Sequence, residues 1–308
     1  MSLALAAGRL LCPVCRSALD LWSSAGQRID RPETDQTVQR AGCANGHSFD
    51  AARAGYLNLL GRAAPAHADS PDMVRARDRF LASGAYDRLA QAVAERLAQA
   101  TSERPEQAGA AAGSALGPAG ATGQLVLAEA GVGTGFYLQR CLQAQGGPAI
   151  GLAWDISPAA ARRAARRDRR LAVLVADTWR PLPWRPAQFD GLICLFAPRH
   201  LPQFASLLVP GGALLLGLPE PDHLADLRHR LALIGLRPDK LARLLEGLPA
   251  DLELVDSSRL AYDVAATPAQ VADLVAMGPN AFHGSAGPAP AADLEVRVRL
   301  LVLRRRPT

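Results

Sequence analysis

The 308 residues contain no run approaching the roughly 18 consecutive apolar positions of a membrane-spanning helix, so no contact with a bilayer is expected. No secretory leader is expected either. The opening Met1-Ser-Leu-Ala-Leu-Ala-Ala has no basic flank, is broken by Gly8-Arg9 and runs straight into a cysteine pair. Cysteine is scarce: of five, Cys141 and Cys194 stand alone, which excludes a disulfide framework and points to a reducing, cytoplasmic setting. Nor is there a strong excess of charge. Thirty-four Lys and Arg face 29 Asp and Glu, a net +5 that permits a polyanionic partner without demanding one. No repeat at a solenoid period is found. What is present in quantity is Ala and Arg, as a GC-rich genome supplies, within a 49% hydrophobic, 20% charged composition that can bury an ample core.

Residues 1–60 are turn-rich, hold the clustered cysteines and are expected to form a zinc-binding domain. Residues 61–100 read as a helical connection, with Met73, Val74, Phe80, Leu81, Leu89, Val93 and Leu97 at three- and four-residue spacings between Ser70 and Gln99. The Ala-, Gly-, Ser- and Pro-rich stretch 101–123 has too little apolar surface to offset ordering and reads as a flexible linker. Across 124–308, β-like runs alternate with helical ones. Leu125–Ala130, Ile150–Trp154, Leu171–Ala176, Gly191–Leu195 and Ala213–Leu218 are expected as successive strands, with Leu252–Val255 and Glu295–Leu303 as a late pair. Such alternation predicts an α/β fold with a doubly wound parallel sheet.

The first strand leads into Glu129-Ala-Gly131-Val-Gly133-Thr-Gly135, where alternate glycines allow a tight turn and close approach of a ligand. The third glycine comes one residue too early for the dinucleotide fingerprint. An acid followed by G-x-G-x-G suits instead the methyl-donor loop of a Rossmann-like class I methyltransferase. Asp155, closing the second strand about twenty residues on, is placed to take the ribose hydroxyls. Asp177, after the third, is placed for the adenine amino group. Each acid alone reads as a helix cap. Three at successive strand tips, in register with the loop, favour a nucleoside cofactor, S-adenosylmethionine, and the Pro210-Gly211-Gly212 turn favours a methyltransferase over a dehydrogenase.

Cys12-Pro-Val-Cys15 and Cys43-Ala-Asn-Gly-His47 supply four soft donors in two short-spaced pairs, a closed and therefore structural zinc site. A redox pair is the competing reading, but no thioredoxin-like strand precedes it. The polar loop from Arg16 to Gly42 is expected to need such a staple. Cys141 and Cys194 read as small core residues.

These features, with Phe49-Asp-Ala-Ala-Arg-Ala-Gly55-Tyr56-Leu-Asn58-Leu-Leu60, Asp69-Ser70-Pro-Asp-Met73-Val-Arg-Ala-Arg77-Asp-Arg-Phe80-Leu-Ala-Ser-Gly84-Ala-Tyr86, Phe196-Ala197-Pro198 and Pro219-Glu-Pro-Asp-His223-Leu224, resemble one family. It is the large-subunit (23S) ribosomal RNA guanine-N1 methyltransferases, which include the tylosin-resistance enzymes. The resemblance implies a homodimer in which a zinc ribbon helps engage a 23S rRNA hairpin near the peptide exit tunnel, with macrolide resistance as an attendant role. It also implies that Cys12, Cys15, Cys43 and His47 hold zinc. Tyr86, Tyr137 and His223 would contact the cofactor alongside the glycine loop and Asp155, and Phe196, Pro198 and Phe282 would line the base pocket. The sequence departs from the family at Glu129, where an Asp is usual, in the longer loop between the cysteine pairs and in the 101–123 insertion. It departs again at Gly278-Pro279-Asn280-Ala281-Phe282-His283, where the family carries a tryptophan.

Two readings of Phe196 stand, core or base pocket. The arginines at 162, 163, 166, 167, 169 and 170 are expected on one helix, either as an RNA-binding stripe or as a solvated face. His200 and Asp190 are placed near the pocket by strand order. A small-molecule methyltransferase of antibiotic biosynthesis would share the core without needing the ribbon. A non-catalytic zinc-bearing RNA-binding protein would lack cofactor affinity.

Overall fold

The computed structural model describes residues 2–32, 36–103, 123–235, 237–278, 281 and 289–307. Most of the expected 101–123 linker, and Phe282, lie outside these residues.

Four short antiparallel strands come first: β1 (Leu19–Ser23), β2 (Arg28–Ile29), β3 (Val38–Cys43) and β4 (Ser48–Asp50), in spatial order β2-β1-β3-β4. The loop between the cysteine pairs, expected to be polar, therefore carries a hairpin of its own. Leu19, Leu21, Ile29, Val38 and Ala41 are buried on its inner face, and their scatter along short strands hides the two-residue period.

Among the described residues the large sheet has eight strands. They are β5 (Tyr56–Asn58), β6 (Leu125–Ala130), β7 (Ala149–Asp155), β8 (Leu171–Val175), β9 (Phe189–Leu195), β10 (Leu208–Pro219), β11 (Leu252–Ala266) and β12 (Ala292–Arg305). Their order is β11-β12-β10-β9-β6-β7-β8-β5, parallel from β5 to β10 and antiparallel at β12 and β11. Strands β7, β8 and β9 are buried along their whole length, as a parallel sheet covered on both faces requires. The five expected parallel strands are all present. The late pair is much longer than its apolar cores, because β11 is an edge strand whose side chains are largely exposed and carry no hydrophobic period.

One face of the sheet is covered by α1 (Pro71–Ala82), α2 (Asp87–Ser102), α3 (Phe136–Ala144), α4 (Pro158–Ala164), α6 (Ala225–Arg230) and α8 (Pro268–Ala276). The expected Ser70–Gln99 helix is thus two helices, parted at Gly84, whose φ of +83° ends the first. The opposite face is covered by α5 (Leu201–Leu207), α7 (Lys240–Glu246), the four-stranded ribbon and a 3₁₀ turn at Ser2–Ala6. Leu3 and Leu5 of that turn are 1% and 2% exposed and pack on β7 and β8, so the apolar opening of the chain is core. Beneath β7, Trp154 stacks with Phe189 at 6.3 Å and meets Phe204 edge-on at 5.9 Å. Trp184 joins this cluster, and its backbone bridges to Leu10 at the base of the ribbon.

The arginine run does not form one stripe. α4 ends at Ala164, and the chain then turns. Arg163 and Arg167 reach inward to Asp78 of α1 at 2.8 and 2.5 Å, and Arg170 holds Asp168 and the Leu142 carbonyl. Arg162, Arg166 and Arg169 stay exposed.

Candidate cofactor and zinc sites

Chain order reverses at β6, flanked by β7 and β9, and the carboxyl ends of these strands define the crevice where open α/β sheets take ligands. The glycine loop lies there. Gly131, Gly133 and Gly135 have φ of 70°, 52° and 77°, angles costly to any residue with a Cβ. At Gly131 a Cβ would sit 2.5 Å from that of Ala197, so glycine also lets the loop after β9 close over the loop after β6.

Glu129 is 2% exposed, and its Oε2 accepts the Leu138 amide at 3.1 Å. It thereby caps α3, whose own N-cap, Gly135, has no side chain to offer. Burial raises its carboxyl well above the ordinary range. Asp155 accepts from the Gly133 amide at 2.9 Å through Oδ2 and from the Ser157 amide at 2.8 Å through Oδ1. Burial raises its pKa too, against the pull of those two amides. Asp177 is engaged with Arg62 at 3.1 Å and with the amide of its own turn at Trp179.

Tyr86, Phe196 and His223 come together from the start of α2 and the ends of β9 and β10. The Phe196 and His223 rings stack at 6.0 Å, and Tyr86 lies 6.5 Å from Phe196. His223 Nδ1 accepts from the Arg297 amide at 3.1 Å, which leaves the ring proton on Nε2, 3.4 Å from the Tyr86 hydroxyl. Burial, then neighbouring Arg228, lowers the imidazole pKa to about 4, so the ring is neutral near pH 7. The Tyr86 oxygen accepts from it, so the phenol proton is not used in that contact. Phe196 is 41% exposed with φ 55°, so its ring is held out of the core at a backbone cost of about 1–2 kcal/mol. Pro198 is exposed beside it. The Tyr137 phenol is raised first by burial and then by Tyr86 and Tyr262.

The sequence reading passed over three residues here. Arg77 of α1 pairs with Asp69, donates to the Met277 carbonyl at 2.7 Å, and lies 3.3 Å from where a Gly133 Cβ would be. Both belong to the quoted Asp69–Tyr86 motif, whose helical period alone gave them no chemistry. Trp179 is 63% exposed at the ligand end of the sheet, edge-on to His200 at 6.1 Å. Of the two residues placed by strand order, Asp190 lies at the opposite end of β9, where it accepts the Val126 amide at 2.9 Å. His200 uses Nδ1 to cap α5. The crevice also leaves Thr134 Oγ1 buried without a partner among the described residues. An orphan hydroxyl, an available phenol proton and glycine-lined backbone fit a polar cofactor such as S-adenosylmethionine.

At the ribbon's end, Cys12, Cys15, Cys43 and His47 place their ligand atoms within 4.8 Å of one another. Cys15 and Cys43 sulfurs are 3.7 Å apart and Cys43 is 3.4 Å from His47 Nδ1. A tetrahedral zinc with sulfur at about 2.3 Å sets its ligands about 3.8 Å apart, so the cluster fits the metal; a disulfide, at about 2.05 Å, it does not fit. Each pair closes a tight turn: the Arg16 amide returns to the Cys12 carbonyl, with φ 61° at Arg16, and the Gly46 amide to the Cys43 carbonyl. A hydrogen bond from Ser17 holds the Cys15 thiol down at about 5. Cys141 and Cys194 are buried in the core, and burial pushes the Cys194 thiol up to about 12.

The family described as the RlmA N-terminal zinc ribbon matches residues 10–64. The 23S rRNA (guanine(748)-N(1))-methyltransferase of Streptomyces fradiae is 38% identical over 274 residues, 89% of this chain and 86% of that one. A Micromonospora griseorubida protein, named for 23S rRNA (guanine-N(1)-) methylation, is 39% identical over 89% of this chain and 87% of its own. Among solved structures, the tRNA (m1A58) methyltransferase TrmI of Aquifex aeolicus covers 60% of this chain and 63% of its own at 12% identity, with a TM-score of 0.38.

Proposed function

The chain belongs to the 23S rRNA (guanine-N1)-methyltransferase family, and from that premise we propose that it methylates N1 of a guanine in a 23S rRNA hairpin near the peptide exit tunnel. The observation that carries the reading is the junction of Tyr86, Phe196 and His223 beside the glycine loop and Asp155, an aromatic cluster next to a loop and an acid that suit a nucleoside. When bound, S-adenosylmethionine supplies an activated sulfonium methyl. Asp155 would meet the ribose, the loop from Gly131 to Gly135 the methionyl part, and Arg77 its carboxylate. Asp177 would share its carboxylate between Arg62 and the adenine amino group. Tyr137, on the first turn of α3, would close the cofactor's near side, and Glu129 acts from beneath by holding α3. The exposed Phe196 ring, with Pro198 at the rim, would stack the extruded base; Phe282 is assigned to the same pocket by resemblance.

Guanine N1 lies on the Watson–Crick edge, so the base must be unpaired or flipped out. Methylation at N1 requires that the N1 proton be given up, and water would take it. His200 does not receive it, since its Nδ1 lone pair is used in capping α5. The protein's contribution is alignment. The zinc at Cys12, Cys15, Cys43 and His47 is structural, having no open position. Action in the cytoplasm, as a homodimer, accompanies this reading, and a methyl added at a macrolide-facing guanine would oppose tylosin-type drugs. Among the described residues no helix is long and apolar enough to cross a membrane.

The test is transfer of labelled methyl to an isolated hairpin and to the same sequence locked in a full duplex. Transfer to the hairpin alone, mapped to guanine N1, is expected. Equal activity on both, methylation only of a small molecule, or RNA binding without transfer would each overturn the proposal.

A further inference from the structure

A cavity of about 490 Å³ opens on the α1/α4 side of the sheet, outside the cofactor crevice. Ser157 forms the wall between the two. Its amide donates to Asp155 of the crevice, and its hydroxyl donates to the Asp69 carbonyl at 2.6 Å. The volume lies within the roughly 300–1,000 Å³ of small-ligand sites. Flat apolar surface is supplied by Tyr56, the first residue of β5, and by the rings of Pro65, Pro71 and Pro158. The rim is cationic. Arg163 is committed to Asp78 and Arg75 to Asp72, whereas Arg162 and Arg166 are exposed and line the cavity, and their guanidinium groups have no ion-pair or hydrogen-bond partner among the described residues. Asp69, the one acid among the described lining residues, is already paired with Arg77.

We propose that this cavity is a second nucleotide site for the RNA substrate, seating one unpaired, non-target nucleotide. Its base lies on Tyr56 and the proline rings, and its flanking phosphates lie on Arg162 and Arg166. The assignment rests on the rRNA methyltransferase reading. Two observations of different kind support it. Unpartnered guanidinium groups four residues apart supply positive charge and forked N–H donors for phosphate oxygens, and an apolar floor holding a tyrosine matches a nucleobase face. A solvated arginine face would need no such floor, and an apolar partner would leave the two arginines desolvated and unpaired. The site begins two residues beyond Asp155, the proposed ribose acid, so an RNA strand engaged there is anchored beside the crevice that receives its target base.

The experiment uses the full-length, zinc-loaded protein and a 23S rRNA hairpin, with binding measured at several salt concentrations. Arg162→Ala/Arg166→Ala is expected to reduce the slope of log K against log salt by about 1.4, two single-strand phosphate contacts at about 0.7 each. S-adenosylmethionine affinity should be unchanged and KM for RNA raised, and Arg162→Lys/Arg166→Lys should restore the slope. Arg169 is the control: also exposed and with no guanidinium partner among the described residues, but outside the cavity, so Arg169→Ala should leave the slope unaltered. Hairpins carrying 4-thiouridine at non-target loop positions should cross-link to the peptide bearing Tyr56. An unchanged slope in a protein that still methylates the hairpin would overturn this site alone. A loss at Arg169→Ala equal to that at each cavity arginine would reduce it to diffuse charge. Absence of any hairpin binding by the unaltered protein would instead sink the rRNA reading on which it rests.

Discussion

Asp155 serves two backbone amides at once, so its substitution tests structure and binding together. Asp155→Ala forfeits hydrogen bonds to a charged acceptor worth about 1.5–3 kcal/mol each. Calorimetry should show S-adenosylmethionine binding weakened at least about tenfold, and an unchanged dissociation constant would reject the ribose assignment. His223 gives a signature in pH. Its folded-state pKa of about 4 lies below the ordinary 6.5, so between these values the unfolded chain binds more protons than the native one. Stability therefore falls as pH drops from 6.5 towards 4, by up to about 3 kcal/mol. His223→Gln should flatten that part of a melting-temperature profile; an undiminished slope would show that other groups carry the acid sensitivity.

At the level of elements, the ribbon does not sit apart from the sheet. The Leu11 amide donates to the Pro183 carbonyl at 3.0 Å, the Arg185 amide to Arg9 at 2.9 Å, and the Arg16 guanidinium to Leu182 at 2.8 Å. Losing the zinc should consequently be felt beyond the ribbon. Cys15→Ala, or chelation at neutral pH, is expected to lower the melting temperature of the whole chain and to weaken cofactor binding through the Asp177–Arg185 loop. Two separated transitions, with cofactor affinity intact, would contradict this. The coupling was not legible in the sequence, because buried positions scattered over two- to six-residue strands show no period. The parallel strands were legible, being unbroken apolar runs ending in Glu129, Asp155 and Asp177. So was the cysteine cluster, whose spacing is itself the chemistry. Trp179 and Arg77 escaped notice because an exposed tryptophan and a surface-helix arginine look ordinary until their neighbours are known.

Over the whole molecule, two apolar cores lie on opposite faces of one sheet, and the N-terminal sixty residues belong mainly to the core opposite α1 and α2. Deleting residues 2–7 would uncover the faces of β7 and β8 now covered by Leu3 and Leu5, each burial worth about 1.5–3 kcal/mol. Thermal melting of the truncated chain should show a drop of several degrees; an unaltered melt would mean that the 3₁₀ turn adds nothing to the fold. The pairing of β5 with β8 also has a consequence in time. Tyr56 is translated long before its partner Val173, and Arg62 must wait about 115 residues for Asp177. The zinc turns are local and close as soon as their ligands have been made, but the apolar flank of the ribbon cannot be covered until β7, β8 and Trp184 follow. The cysteine-bearing segment is thus made well before it can be finished, and in the interval metal capture adds to its short hairpins as a lock on its shape, so that zinc supply bears on how long a half-made chain stays exposed to aggregation or proteolysis.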